Sequence, residues 1–146
     1  MASSLKVCGI LLALLCLLCR LLVHSKNISW REFMKQHHLN PNREFNDYKC
    51  DALMREKGLK NKNSNIFIYI SWFKIKKICI NNRWNDRYRN AYVWVQYALK
   101  VLKCYWENSK NSYRESRSYN YFEFHCNMDG YVDGIEDLKM VQPINS

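Results

Sequence analysis

The chain contains little glycine or proline, with four glycines and two prolines among its 146 residues. No stretch is rich in either residue, no segment is of low complexity, and no motif repeats along the chain. These absences exclude long flexible linkers and repeat architectures. A chain of this length favours a single folded domain.

The apolar run near the N-terminus is too short for a membrane span. It extends from Val7 to Cys19, whereas a spanning helix needs roughly 20 apolar residues. Lys6 precedes the run, and the short or small residues Val23-His24-Ser25 follow it. This pattern predicts a secretory signal peptide at 1–25, with one domain at 26–146. The alternative is a transmembrane anchor, but we expect no membrane span.

The cysteines of the predicted domain lack the spacing of a metal site. Cleavage would leave four of the seven cysteines, none of them two to four residues apart: Cys50, Cys79, Cys104 and Cys126. In an oxidising compartment, four cysteines predict two disulfides, and the sequence alone allows three pairings. We therefore expect neither a metal nor a cofactor.

Acidic residues are scarce in the middle of the chain. Removing Lys6 and Arg20 from the 23 basic residues leaves 21 against 13 acidic ones, a net charge of +8. The segment from Lys74 to Lys103 has eight basic residues and one acid, Asp86, with interleaved aromatics. Such a segment predicts weak, nonspecific binding to nucleic acid or anionic glycans, or to a membrane surface. The alternative is a solvated basic face over an ordinary aromatic core.

Asn27-Ile28-Ser29 is the one N-glycosylation sequon, just beyond the predicted cleavage site. In a secreted chain it makes Asn27 a candidate for glycosylation.

Helix signals dominate the first half of the domain. Ser29-Trp30-Arg31-Glu32 matches a capping box, which predicts a helix from Ser29 to about Leu39 with Phe33 and His37 on one face. A second helix is predicted from Asp47 to Lys57, closed by Gly58. Residues 65–70 are strand-like, and Ser71 is positioned to cap a short third helix over 72–78.

Strand signals dominate the second half. The segments 91–106 and 118–126 are rich in β-branched and aromatic residues, and the second alternates clearly. Alternation places Asn120, Phe122, Phe124 and Cys126 on one face and His125 on the other.

This order of elements and three sequence features resemble the pancreatic ribonuclease superfamily. Phe33-Met34-Lys35-Gln36-His37 is similar to the family's Phe-x-x-Gln-His box, which implies that His37, not His38, stands where the family has its general base. The segment from Lys62 to Phe67 resembles the Cys-Lys-x-x-Asn-Thr-Phe signature, with Asn61 in place of the cysteine and Ile66 in place of the threonine that recognises a pyrimidine. The third feature is the set of four widely spaced cysteines. Gln36, His37 and Lys62 are thus candidates for a vestigial site.

The resemblance also implies the fold and the disulfides. The expected fold is α+β and ribonuclease A-like, with about three helices packed on a bent antiparallel β-sheet. The family's bridges imply the pairs Cys50–Cys104 and Cys79–Cys126. Longer stretches, among them WREFMKQH and MDGYVDGIEDLKMVQP, resemble the epididymal secretory protein E-three family, an atypical branch of this superfamily. That resemblance implies secretion into the epididymal lumen and a role in sperm maturation.

The general acid is missing at the position where the resemblance implies it. Cleavage of RNA by its own 2′-hydroxyl needs a base, an acid and a cation over the phosphate. The family's acid lies nine residues after the last cysteine, which here is Ile135. Asp133 and Glu136 flank this position and would repel a phosphodiester.

The two other histidines of the domain do not replace it by position. His38 turns about 100° from His37 on a helix, and His125 faces away from Cys126. We expect no catalytic residue and no enzymatic activity. The expected function is that of a secreted monomeric binding protein with a luminal or sperm-surface partner. The alternatives are a weak or altered ribonuclease and a cationic host-defence protein acting on anionic membranes.

Overall fold

The structure, a computed structural model, describes residues 2–81 and 91–145, with the side chains of 2–6, 19–28 and 81 outside the description. Within these ranges the helices are α1 (Ala2–His37), a 3₁₀ helix (Phe45–Asp47), α2 (Cys50–Glu56) and α3 (Trp72–Asn81). The strands are β1 (His38–Leu39), β2 (Ser64–Tyr69), β3 (Tyr92–Trp94), β4 (Leu99–Glu107), β5 (Ser112–Cys126) and β6 (Val132–Pro143). The predicted α+β class is confirmed.

One sheet contains all the described strands, and β5 is its centre. The order is β1-β2-β4-β5-β3, with β6 also paired to β5. All pairings are antiparallel except β1 with β2. The first part of β5, Ser112–Asn120, pairs with β4, and the later part, Glu123–His125, pairs with β3. Strand β6 runs along the other edge of β5 from Ser118 to Cys126.

Apolar side chains form a cluster on each face of the sheet. Phe67 and Ile68 are neighbours in β2, both are fully buried, and they belong to different clusters because strand side chains alternate. The first cluster contains Phe33 of α1, Ile75 of α3, and Phe124 of β5. The second contains the inward face of α2 with parts of β2 and β4. The sheet is therefore covered by α1 and α3 on one face and by α2 on the other.

Each cluster contains one disulfide. Cys79 is linked to Cys126 in the first cluster, and Cys50 to Cys104 in the second, as the family resemblance implies. The linked cysteines are 47 and 54 residues apart in sequence. In the chain-entropy model, loops of this length contribute about 4 kcal/mol each to stability. Two such bridges are a large share of the stability of a small domain.

The predicted start of the first helix is wrong. Helix α1 is continuous from Ala2 through Ser29, so Ser29 is not an N-cap. The backbone is already helical where the chain reaches Ser29, so no helix begins there. The Ser29 hydroxyl oxygen instead accepts a hydrogen bond from Asn127 Nδ2, at 3.3 Å. The helix also ends at His37, two residues earlier than expected, because His38 and Leu39 pair with β2.

The second helix begins later than predicted and ends one residue earlier, at Glu56, with the predicted closure at Gly58. Asp47 belongs to the 3₁₀ helix, and α2 starts only at Cys50. At its end Gly58 has a φ of 68°, and its N–H donates to Arg55 O while Leu59 N–H donates to Met54 O. These two bonds satisfy carbonyls that would otherwise lack partners at the helix end.

Helix α3 has the predicted cap. Lys74 N–H donates to Ser71 Oγ at 3.1 Å, which satisfies one of the free N–H groups of the first turn. The helix continues three residues beyond the predicted end, to Asn81.

None of the helices in the described ranges has both the length and the apolar character needed to cross a membrane. Several sequence predictions concern residues outside the description. They are the Asn27 side chain and, from the basic segment, Arg83, Trp84, Asp86, Arg87, Tyr88 and Arg89.

Candidate functional site

The end of α1 is fixed to the sheet by Phe33. This ring is buried, meets Phe124 edge-on at a centroid distance of 6.1 Å, and contacts the His37 ring at 5.1 Å. The predicted shared face of Phe33 and His37 is confirmed. Phe33 therefore sets the position of the His37 ring over β2.

The backbone of β2 determines which ring nitrogen of His37 is free. Nδ1 lies 2.8 Å from Ile66 O. A carbonyl only accepts hydrogen bonds, so Nδ1 carries the proton and donates, which leaves Nε2 as the acceptor of the neutral ring. Burial lowers the pKa of His37, and the charges of Lys62 and Lys57 add to this effect, while the bond to Ile66 opposes it. The ring is therefore neutral near pH 7.

Gln36 and Lys62 lie beside His37. Lys62 Nζ is 3.4 Å from Gln36 Oε1, and the buried Asn65 side chain donates to Gln36 O at 2.6 Å. The Tyr113 hydroxyl donates to Lys62 O at 2.7 Å and so holds the loop that carries the lysine. The structure thus brings together the three residues named from sequence. The sequence signature contains Asn65, but its role in holding Gln36 was not predicted.

Ile135 belongs to the apolar surface on which α1 rests. It is half-buried, pairs with Phe124 across β5 and β6, and packs against the first cluster. Glu136 beside it is exposed and lies at an irregularity in the pairing. The aliphatic side chain fills space next to the cluster and has no proton to donate.

His38 binds a carbonyl just beyond the end of β2. Its Nε2 lies 2.7 Å from Ile70 O, so this nitrogen donates. Ile66 and Ile70 are four residues apart, roughly 13 Å along an extended strand. The adjacent histidines are therefore tied to well-separated carbonyls. Burial lowers the pKa of His38, as does the charge of Lys57, whereas the Ile70 bond opposes the shift.

The side chain of His125 lies on the face of β5 opposite the first cluster. Phe124 and Cys126 are buried in that cluster, which confirms the predicted orientation. His125 Nδ1 pairs with Asp133 Oδ1, and the ring contacts Tyr92. This pairing was not predicted from the sequence. The turn around Asp129 and Gly130 offered a signal for it, because residues 125 and 133 are equidistant from Asp129 in a hairpin.

The described part of the basic segment is divided between the two faces of the sheet. Lys76 lies over the Trp72 ring and Lys77 over the Phe73 ring, both on α3. Lys100 instead lies over Phe45 and Tyr69, next to the second cluster. Among the described residues, no group of three or more histidine, cysteine or acidic side chains is placed to hold a metal ion.

A comparison with known protein families identifies the family to which the chain belongs. Residues 28–144 match the family described as pancreatic ribonuclease. The chain belongs to the pancreatic ribonuclease family.

The similar proteins agree with this family assignment. The chain is 71% identical over 147 residues to human epididymal secretory protein E3-beta, and 63% identical to human epididymal secretory protein E3-alpha, with all of both chains covered in each comparison. The sequence resemblance to the epididymal branch is confirmed. Green turtle egg white ribonuclease has the same fold, with a TM-score of 0.59 at 17% identity, over 76% of this chain and 98% of that one. The ribonuclease A-like fold is therefore confirmed.

Proposed function

We propose that this member of the pancreatic ribonuclease family is a secreted, noncatalytic binding protein of the epididymal lumen that acts in sperm maturation. The observation that carries the noncatalytic assignment is Ile135. At the place where the family resemblance puts a proton donor, an aliphatic side chain packs on the cluster of Phe33 and Phe124.

Secretion is supported by the sequence and by the relatives. Residues 1–25 have the pattern of a signal peptide, and the family match begins at residue 28. The two human relatives are named as epididymal secretory proteins. We assign residues 26–146 to the secreted domain, with its two disulfides formed in an oxidising compartment.

Two further features favour loss of catalysis. Ile66 stands where the resemblance places the pyrimidine-recognising threonine, and a pocket that lacks this hydrogen bond holds its substrate less selectively. The exposed carboxylate of Glu136 lies next to Ile135 and disfavours a bound phosphodiester. The expectation that Asp133 does the same is wrong, because its carboxylate pairs with His125 on the other face of β5. A missing general acid alone lowers the rate by about 10²- to 10⁴-fold.

The alternative of a weak ribonuclease rests on one observation, the proximity of Gln36, His37 and Lys62. His37 keeps a free Nε2 with which to act as a base. A base without its acid does not complete the reaction, so we assign this group a structural role.

Cleavage of a dinucleotide and of polymeric RNA tests the assignment. The protein is expressed from its full coding sequence in mammalian cells, together with His37→Ala and a matched control, His38→Ala, whose ring binds Ile70 O beyond the end of β2. We expect equal, background-level cleavage from all three at every pH. Cleavage that is lost in His37→Ala and kept in His38→Ala would overturn the noncatalytic assignment.

Binding to epididymal sperm tests the second half of the proposal. Labelled protein should bind saturably and be displaced by unlabelled protein. A linear, noncompetable signal would remove the proposed partner at the sperm surface.

A further inference from the structure

A surface groove lies between α3 and the segment that joins β3 to β4. Its volume is about 420 Å³, within the range of small-molecule sites. The buried side chains of Ile78 and Val95 form its floor, and the exposed rings of Phe73 and Tyr97 form its walls. We call it the α3 groove.

The walls of the α3 groove are held in place by the fold. The Ser71 cap fixes the start of α3, and the Cys79–Cys126 disulfide ties its end to β5. On the other side, Val95 N–H donates to Phe122 O at 2.9 Å. The apolar floor is therefore present before any ligand arrives, which lowers the entropic cost of binding.

Positive charge surrounds this apolar floor. Lys74 and Lys77 line the groove, with Lys74 Nζ 6.0 Å from the centroid of the Tyr97 ring and Lys77 Nζ 3.9 Å from that of Phe73. The residues that line the groove include these two lysines and no acidic residue. A ligand that fits must combine an apolar body with negative charge.

We propose that the α3 groove binds single-chain amphiphilic anions. The alkyl chain lies on Ile78 and Val95 between the two rings, and the carboxylate or sulfate contacts Lys74 and Lys77. The concave shape favours a monomeric amphiphile over the surface of a bilayer, because only a separate chain reaches the floor. The groove shares no residue with Gln36, His37 and Lys62, so this proposal and the noncatalytic assignment fail independently.

Calorimetric titration with three matched ligands tests the proposal. Decanoate, decanol and decyltrimethylammonium share one alkyl chain and differ in charge, and each is used below its micelle-forming concentration. We expect saturable binding at one site in the order decanoate, decanol, decyltrimethylammonium. Each exposed lysine contributes on the order of two- to fivefold in Kd. The double variant Lys74→Gln/Lys77→Gln should therefore bind decanoate roughly tenfold more weakly and decanol unchanged.

Three further variants separate charge from shape. Lys49→Gln removes an exposed lysine at the start of α2 and should leave all three affinities unchanged. Lys74→Glu/Lys77→Glu should reverse the preference between decanoate and decyltrimethylammonium. Phe73→Ala removes one exposed wall of the groove and should lower the affinities for decanoate and decanol by a similar factor. All these substitutions lie at exposed positions, and thermal melting verifies that each variant is folded.

Several outcomes would overturn the proposal. They are the absence of saturable decanoate binding, equal affinity for decanoate and decanol, and an unchanged decanoate affinity in the glutamine double variant. Binding to vesicles of anionic phospholipid without binding to monomeric decanoate would assign this surface to membranes instead.

Discussion

Replacing Ile135 by histidine returns a proton donor to the position that the family resemblance assigns to the acid. Burying a whole isoleucine side chain contributes about 1.5–3 kcal/mol, and Ile135 is half-buried, so the substitution costs about 1 kcal/mol of stability. That is small beside the contribution of about 4 kcal/mol from each disulfide. The Ile135→His variant should therefore fold.

The expected gain in activity follows from the neighbours of residue 135. A general acid contributes about 10²- to 10⁴-fold in rate. The exposed carboxylate of Glu136 opposes the substrate by up to about 1 kcal/mol, or roughly fivefold. We expect kcat/KM for a dinucleotide to rise between about tenfold and a thousandfold above that of the parent protein.

Two controls identify the source of any gain. Ile135→Gln introduces a polar side chain of similar size that does not titrate, and Ile135→His/His37→Ala removes the base. Both should remain at background. We expect that the missing acid is what prevents catalysis. A folded Ile135→His variant whose kcat/KM is no higher than that of Ile135→Gln would refute this expectation. A parent protein whose kcat/KM already equals that of Ile135→His would also refute it.

Three other predictions address stability and processing. Cys79→Ser/Cys126→Ser should lower the free energy of unfolding in urea by about 4 kcal/mol, whereas a loss below about 1 kcal/mol would contradict the loop-closure argument. Burial holds the pKa values of His37 and His38 below 6.5 in the folded chain, so the unfolded chain binds protons at a higher pH than the folded chain. The free energy of unfolding should therefore fall as the pH drops through about 6.5 towards the folded-state pKa values. Urea midpoints at several pH values measure this dependence of stability on pH. The double variant His37→Ala/His38→Ala should depend less on pH, and an unchanged dependence would contradict the prediction. Mass spectrometry of protein from the culture medium should find a chain that begins near Lys26, and a retained Cys8 would contradict signal cleavage.

The elements that local sequence determines were predictable. Ser71 and Gly58 mark helix ends through their own backbone and side-chain chemistry, so the cap of α3 and the end of α2 follow from sequence. Alternation in β5 likewise fixed the faces of Phe124 and His125, because the side-chain period of a strand is two.

The errors arose where distant residues compete with local signals. Ser29 has the pattern of a cap, but α1 is already helical before it, and its hydroxyl instead accepts from Asn127. His38 and Leu39 have helical neighbours, but pairing with β2 ends the helix at His37. Asn65 and Asp133 acquire their roles through contacts with Gln36 and His125, and local sequence does not specify such contacts.

The adjacent histidines have a consequence for the alignment of β2. Successive carbonyls of a strand point to opposite sides, so a slip of β2 by one residue would turn the acceptors at Ile66 and Ile70 away from both rings at once. The two adjacent histidines thereby hold the alignment of this strand at two points, one within it at Ile66 and one just beyond it at Ile70. His37 thus stabilises the alignment of β2 through its bond to Ile66 O, whether or not its ring takes part in any chemistry.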